Sequence, residues 1–197
     1  MDELRRLSFD QMFERAASTK PSPGGGAVMG LVGMMGVALL LKAVRITLKH
    51  REDEALKAAE AEFERLARLL AEDADADAAS FDAYMAAGRM PRSTPEEIAA
   101  RSQGLARAAL DSVDVALAAL AHAAEAMSLA RRISGRLSPR MAPDLSGGLA
   151  VLEAVRANAV DNARDSLDRT EGSSRREALA ARLGRLISET TGAVERE

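Results

Sequence analysis

Apolar residues recur along this chain at helical spacing in six stretches, separated by clusters of proline, glycine and charge. The first stretch carries Phe9, Met12 and Phe13 at i, i+3 and i+4. Ser8-Phe9-Asp10-Gln11 reads as a capping box that opens a short helix ending near Ser18. Lys20-Pro21-Ser22-Pro23-Gly24-Gly25-Gly26 is the strongest loop signal in the chain. A second helix is predicted from about Gly25 to Lys49. Gly26, Gly30, Gly33 and Gly36 fall roughly on one of its stripes. Glycine in a helix interior costs about 1 kcal/mol relative to alanine. Four of them imply close backbone approach by another helix or by a ligand.

His50-Arg51-Glu52-Asp53 is a polar joint, and a long helix follows from about Asp53 to Ala87. Phe63, Leu66, Leu70, Ala74, Asp77 and Phe81 keep helical spacing along it, with one carboxylate set in the apolar stripe. Gly88 to Pro95 is a break. Thr94-Pro95-Glu96-Glu97 has Thr as cap, Pro at the first position and Glu at the third, and starts a fourth helix that runs to about Ile133. Ser134 to Pro143 is a second loop. Asp144 is expected to cap a fifth helix reaching about Arg169, and Gly172-Ser173-Ser174 separates it from a polar last helix ending near Val194. No strand pattern and no internal repeat is present. The predicted fold class is all-α, an antiparallel bundle of about six helices, organised as a single domain over residues 1–197.

Composition agrees with this. The chain has 197 residues, of which 41 are Ala, and aromatic residues make up only 3%. Such a composition favours helices over a sandwich, a barrel or a doubly wound sheet. With no Cys and two His, disulfides, zinc fingers, iron–sulfur clusters, thiol nucleophiles and His-rich metal centres are excluded. A net charge of −3 gives no overall drive toward nucleic acid or an acidic membrane. Gly24 to Leu41 is uncharged and meets a minimal membrane-spanning length, but it holds six glycines and ends at Lys42 and Arg45. A buried central helix is the better expectation, in a cytoplasmic protein with no secretory signal at Met1 to Phe9.

Three places could carry chemistry. The glycine run at the start of the second helix exposes N–H groups that suit an anion or polar ligand, and a plain flexible turn is the alternative. It has neither a Walker nor a dinucleotide-binding pattern. In the acidic segment Glu72, Asp73, Asp75, Asp77, Asp82, residues two apart point in different directions on a helix. A solvated face is the expectation for Glu72, Asp73 and Asp75. Asp77 lies on the apolar stripe and is equally open to a solvated face or to burial, which raises a carboxyl pKa and suits it to general acid–base work. On the fifth helix Asn158, Asn162, Asp165 and Ser166 form a polar stripe, open to either a bound ligand or solvent. His50 and His122 have no metal-binding partner at helical spacing, and no Glu-x-x-His occurs.

Pro21-Ser22-Pro23-Gly24-Gly25-Gly26 and the small-residue helix after it resemble the amino-terminal signature of the formiminotetrahydrofolate cyclodeaminase / methenyltetrahydrofolate cyclohydrolase family. The resemblance extends over nearly the whole chain. Asp77-Ala78-Ala79-Ser80-Phe81-Asp82-Ala83-Tyr84-Met85 resembles the family's acidic Asp-x-x-Ala-Phe segment, and Asp114-Val115-Ala116-Leu117 its Val-Pro-Leu segment. Asp144-Leu145 and Asn162, eighteen residues apart, resemble its Ser-Asp and Asn-Val elements. The resemblance implies a cyclodeaminase-like helical fold, usually a homodimer, with a folate cleft. It also implies a folate one-carbon enzyme, with no cofactor beyond the tetrahydrofolate derivative that is its substrate and no nucleic-acid or membrane partner. The expected activity is that of a lyase removing ammonia from formiminotetrahydrofolate to give methenyltetrahydrofolate, or that of a hydrolase opening methenyltetrahydrofolate.

The resemblance further places Gly24, Gly25 and Gly26 at the folate cleft, with Asp77, Asp144 and Asn162 as polar partners. We assign Asp77 and Asp144 as catalytic carboxylates and Asn162 to substrate binding, and Arg45, although it departs from the pattern, as a cation that suits the folate's glutamate tail but would repel a methenyl cation. Several polar positions depart from the pattern. Arg45 stands where Asn is usual, Gly104 where Lys is common, Pro143 for Ser, Ala116 for Pro, and Ser166 for a second Asn. These departures leave an alternative, a catalytically silent relative that binds a ligand or acts as a scaffold.

Overall fold

The computed structural model describes residues 3–192. It contains α1 (Phe9–Ala16), α2 (Gly25–Leu48), α3 (Glu54–Gly88), α4 (Pro95–Ile133), α5 (Ala142–Asp168) and α6 (Ser174–Gly192), with short 3₁₀ turns at Leu4–Arg6, Ser134–Arg136 and Pro139–Met141. The described residues hold no strand. The expected end of the last helix near Val194 lies outside them. The capping boxes of Ser8 with Gln11 and of Thr94 with Glu97 are both formed. Asp53 caps α3 by accepting from the Ala55 and Leu56 N–H groups.

α2 to α5 run up and down in chain order and close a four-helix ring: α2 packs on α3 and α5, and α4 packs on the other sides of the same two helices. α6 lies across α4 and α5. Val37, Leu40, Val44, Phe63, Leu66, Leu70, Ala126, Leu152 and Val155 belong to the central core. A second apolar cluster beneath α6 joins Leu117, Leu120, Val160, Leu167 and Leu183.

The glycine stripe of α2 is the hinge of this packing. A methyl added at Gly30 would lie 2.8 Å from the Leu70 carbonyl oxygen and 2.9 Å from the Ala74 nitrogen, both on the α3 backbone. At Gly36 it would lie 2.8 Å from Val151 Cγ1 of α5, and at Gly148 it would lie 2.9 Å from the Gly36 carbonyl oxygen. The intrinsic helix cost of these glycines is offset by helix–helix approach that no side chain permits. α2 and the span Pro95–Arg136 are long and apolar enough to cross a membrane by length and composition alone, and half of the apolar window of α2 is buried inside the bundle.

Two expectations need correction here. Asp144 does not cap α5: the helix starts earlier, at Ala142, with Pro143 in its first turn, and Asp144 lies inside that turn. The apolar stripe of α1 is divided. Met12 packs near Leu4 and Ala27, while Phe9 and Phe13 stand 86% and 66% exposed.

Candidate functional site

Four helices meet around one cleft at the end of the bundle where α2 begins. The cleft, of about 180 Å³, is lined by Pro21 and Gly24 to Gly26 from the loop and start of α2. α3 contributes Asp77, Ser80, Phe81 and Tyr84, α4 contributes Ala109 and Ser112, and α5 contributes Asn162, Asp165 and Ser166, with Arg169 at its end.

Asp77 is the pivot. Its carboxylate sits directly over Gly26, where an added methyl would overlap it, and accepts a hydrogen bond from the Ala27 N–H in the first turn of α2. Burial pushes the Asp77 carboxyl above its ordinary value, and the Ala27 N–H only partly opposes this. A raised carboxyl takes up and releases a proton nearer to neutral pH than an exposed one does.

Asn162 Nδ2 donates to Asn158 Oδ1 at 3.2 Å, so the two amides are fixed in one row on α5. Ser80 Oγ donates to the Asp77 carbonyl, and Ser112 Oγ lies 3.3 Å from Ser80 Oγ. A recess of about 20 Å³, room for one water, lies between Asp77, Asn158, Asn162 and Gly26.

Gly24, Gly25, Gly26, Asp77 and Asn162 thus share one cleft. Asp144 and Arg45 do not join them. Eighteen residues of continuous helix separate Asp144 from Asn162, about 27 Å at 1.5 Å per residue. Asp144 instead accepts a hydrogen bond from Lys42 Nζ at 2.9 Å. Arg45 lies nineteen residues along α2 from Gly26, about 28 Å away, with Nε 2.6 Å from Glu60 Oε1 and a second pair to Glu64. Neither belongs to the cleft of its own chain.

The acidic segment also needs correction. Asp73 is buried, with Oδ2 2.8 Å from His122 Nδ1. Asp75 accepts a hydrogen bond from the Leu4 N–H at 2.8 Å. Neither is a solvated face, whereas Glu72 is exposed. No three His, Asp or Glu side chains among the described residues are grouped to hold a metal ion.

Tyr84 and Arg169, like Ala109 and Ser112, are lining residues that the sequence reading did not single out as a site. The Arg169 guanidinium stacks over the Tyr84 ring, 5.4 Å from its centroid, and pairs with Asp165. The available signal was spacing. Tyr84 lies seven residues beyond Asp77, and Arg169 seven beyond Asn162, so two helical turns repeat the face on both helices.

The family described as formiminotransferase-cyclodeaminase matches residues 8–184. Methenyltetrahydrofolate cyclohydrolase of Methylorubrum extorquens is 33% identical over 151 residues, covering 75% of this chain and 72% of that protein. Formimidoyltransferase-cyclodeaminase of Sus scrofa is 32% identical over 105 residues, 51% of this chain and 19% of that longer protein. The crystal structure of formiminotetrahydrofolate cyclodeaminase from Thermotoga maritima superposes with a TM-score of 0.86 over 98% of this chain and 95% of that one, at 21% identity. At that identity the match speaks for the fold.

Proposed function

Because this chain belongs to the formiminotransferase-cyclodeaminase family, we propose that it is an enzyme of folate one-carbon metabolism. It makes or opens the methenyl bridge of a tetrahydrofolate in the cleft at the start of α2. One observation carries the reading: a partly buried carboxyl, Asp77, raised above its ordinary value by burial, stands at the mouth of a glycine-opened helix in one cleft with Asn162.

In ammonia elimination, folate N10 attacks the formimino carbon and gives up its proton. The amine of the tetrahedral adduct then takes a proton and leaves as ammonia. In hydrolysis, water adds to the methenyl carbon and loses a proton, and one C–N bond breaks as its nitrogen is protonated. Each route needs a group that takes a proton and returns it at one carbon, and Asp77 supplies that group. Asn162, held by Asn158, supplies a fixed dipole toward the adduct. The water-sized recess beside Asp77 favours the hydrolytic route as the second reading. The folate is the substrate, and the proposal assigns no other cofactor.

The test pairs two spectrophotometric assays on purified protein. One follows methenyl absorbance appearing from formiminotetrahydrofolate, and the other follows its loss from methenyltetrahydrofolate beyond the spontaneous rate. Turnover in either, lost in Asp77→Asn, supports the reading and names the reaction. Background rates in both would point to the silent relative. The proposal places the protein in the cytoplasm as a homodimer. A second copy would cover the exposed Phe9, Phe13, Val32 and Met35 on α1 and α2. A monomer mass by light scattering at micromolar concentration would remove the dimer.

A further inference from the structure

The cleft has two rungs. Asp77 and Asn162 form the inner one, and Tyr84 and Arg169 the outer, each seven residues further along α3 and α5. At 1.5 Å per residue the rungs are about 10 Å apart. Arg169 is the sole cation among the residues lining the cleft, whereas two carboxylates, Asp77 and Asp165, line it as well.

We propose that Arg169, laid flat on Tyr84, is the residue that selects the anionic tail of the substrate. Asp165 acts as a stand-in partner that a tail carboxylate displaces. The inference rests on the folate reading above. A tetrahydrofolate reacting at the inner rung carries its glutamate outward by about one aminobenzoyl group, which matches the spacing of the rungs. The guanidinium is a plate with several N–H donors, and stacking on an aromatic face leaves its edges available for a carboxylate. Its present pair with Asp165 is exposed on both sides, 43% and 63%. Such a pair is weak and exchanges at little cost. Without Arg169 the cleft would hold only negative side chains and would repel the tail.

The test compares equilibrium binding of 5-formyltetrahydrofolate, which keeps its glutamate, with an analogue whose aminobenzoyl group ends in a neutral amide. The protein is expected to prefer the glutamate form. Arg169→Gln is expected to weaken binding of that form about tenfold and to leave the amide form unchanged. Arg169→Lys should restore part of the preference, and Asp165→Asn should strengthen the glutamate form. Equal binding of the two ligands by the unaltered protein, or parallel losses in Arg169→Gln, would overturn the inference while leaving the folate reading intact. Binding of neither ligand, with no turnover, would instead overturn the folate reading and the inference with it. A glutamate form weakened by Asp165→Asn would count against the stand-in role.

Discussion

The first turn of α2 and the helix seam beyond it use the same residue for opposite purposes. In the seam, Gly30, Gly36 and Gly148 face the backbone or β-branched side chains of a neighbouring helix, and their missing methyls let helices touch. At the cleft, Gly26 faces the tip of one carboxylate, and its missing methyl leaves room for chemistry. At the far end of the same helix, Lys42 and Arg45 hold Asp144, Glu60 and Glu64 in exposed pairs of the kind that adds little to stability. Glycine in a helix is thus not one signal. Whether it serves packing or a site depends on what stands opposite, a peptide group or a mobile functional group.

The sharpest way to test this division is at Asp77. Asp77→Asn keeps shape and an acceptor for the Ala27 N–H but removes the proton, and turnover should fall by about 10²- to 10⁴-fold with an unchanged helical circular dichroism spectrum. A fall below tenfold would move the chemistry off Asp77.

Next come the paired glycine variants. Gly30→Ala pushes a methyl against the α3 backbone and should destabilise by about 1–3 kcal/mol in denaturant unfolding. Gly26→Ala should leave stability much closer to normal, because a carboxylate can rotate away, yet should lower turnover by displacing it. If the two variants lose stability equally, the contrast between seam and site fails.

A smaller effect concerns pH. Since burial raises the Asp77 carboxyl, the folded chain keeps this proton where the unfolded chain has lost it. Its share of stability is full below the ordinary carboxylate value and is lost as pH rises through the raised folded value. The melting temperature of Asp77→Asn relative to the parent should therefore climb across that window and then level off. A constant difference would mean that the folded carboxyl titrates normally.

The smallest effect is expected at the far end. Asp144→Asn and Arg45→Gln should each change turnover less than about twofold and stability by less than about 1 kcal/mol. A large loss of turnover in Asp144→Asn would show that a second chain brings this carboxylate to the cleft.

Much of the fold was readable because periodicity and caps are local. The boundaries of α2, α3 and α4 fall within a residue or two of those expected from Gly25, Asp53 and Thr94. At the site, Asp77 stood out in the sequence because one helix carries its signal, a carboxylate on an apolar stripe. Asp144 came from the resemblance alone, and eighteen residues of α5 separate it from Asn162 within one chain. The Asp73–His122 contact was hidden, since it joins two helices across 49 residues of chain and neither partner has a local signature. Arg169 looked like a helix end and nothing more.

The seam also sets a gradient of backbone exchange along α2. Around Gly30 and Gly36 the peptide groups are pressed between α3 and α5. Their amide hydrogens should exchange with solvent deuterium only when the bundle opens as a whole. Three turns or fewer toward the amino end, the amides of Gly24 to Gly26 border the cleft and should exchange quickly. One continuous helix would thus be slow at its waist and fast at its first turn, and a ligand seated against that turn would make the whole helix slow.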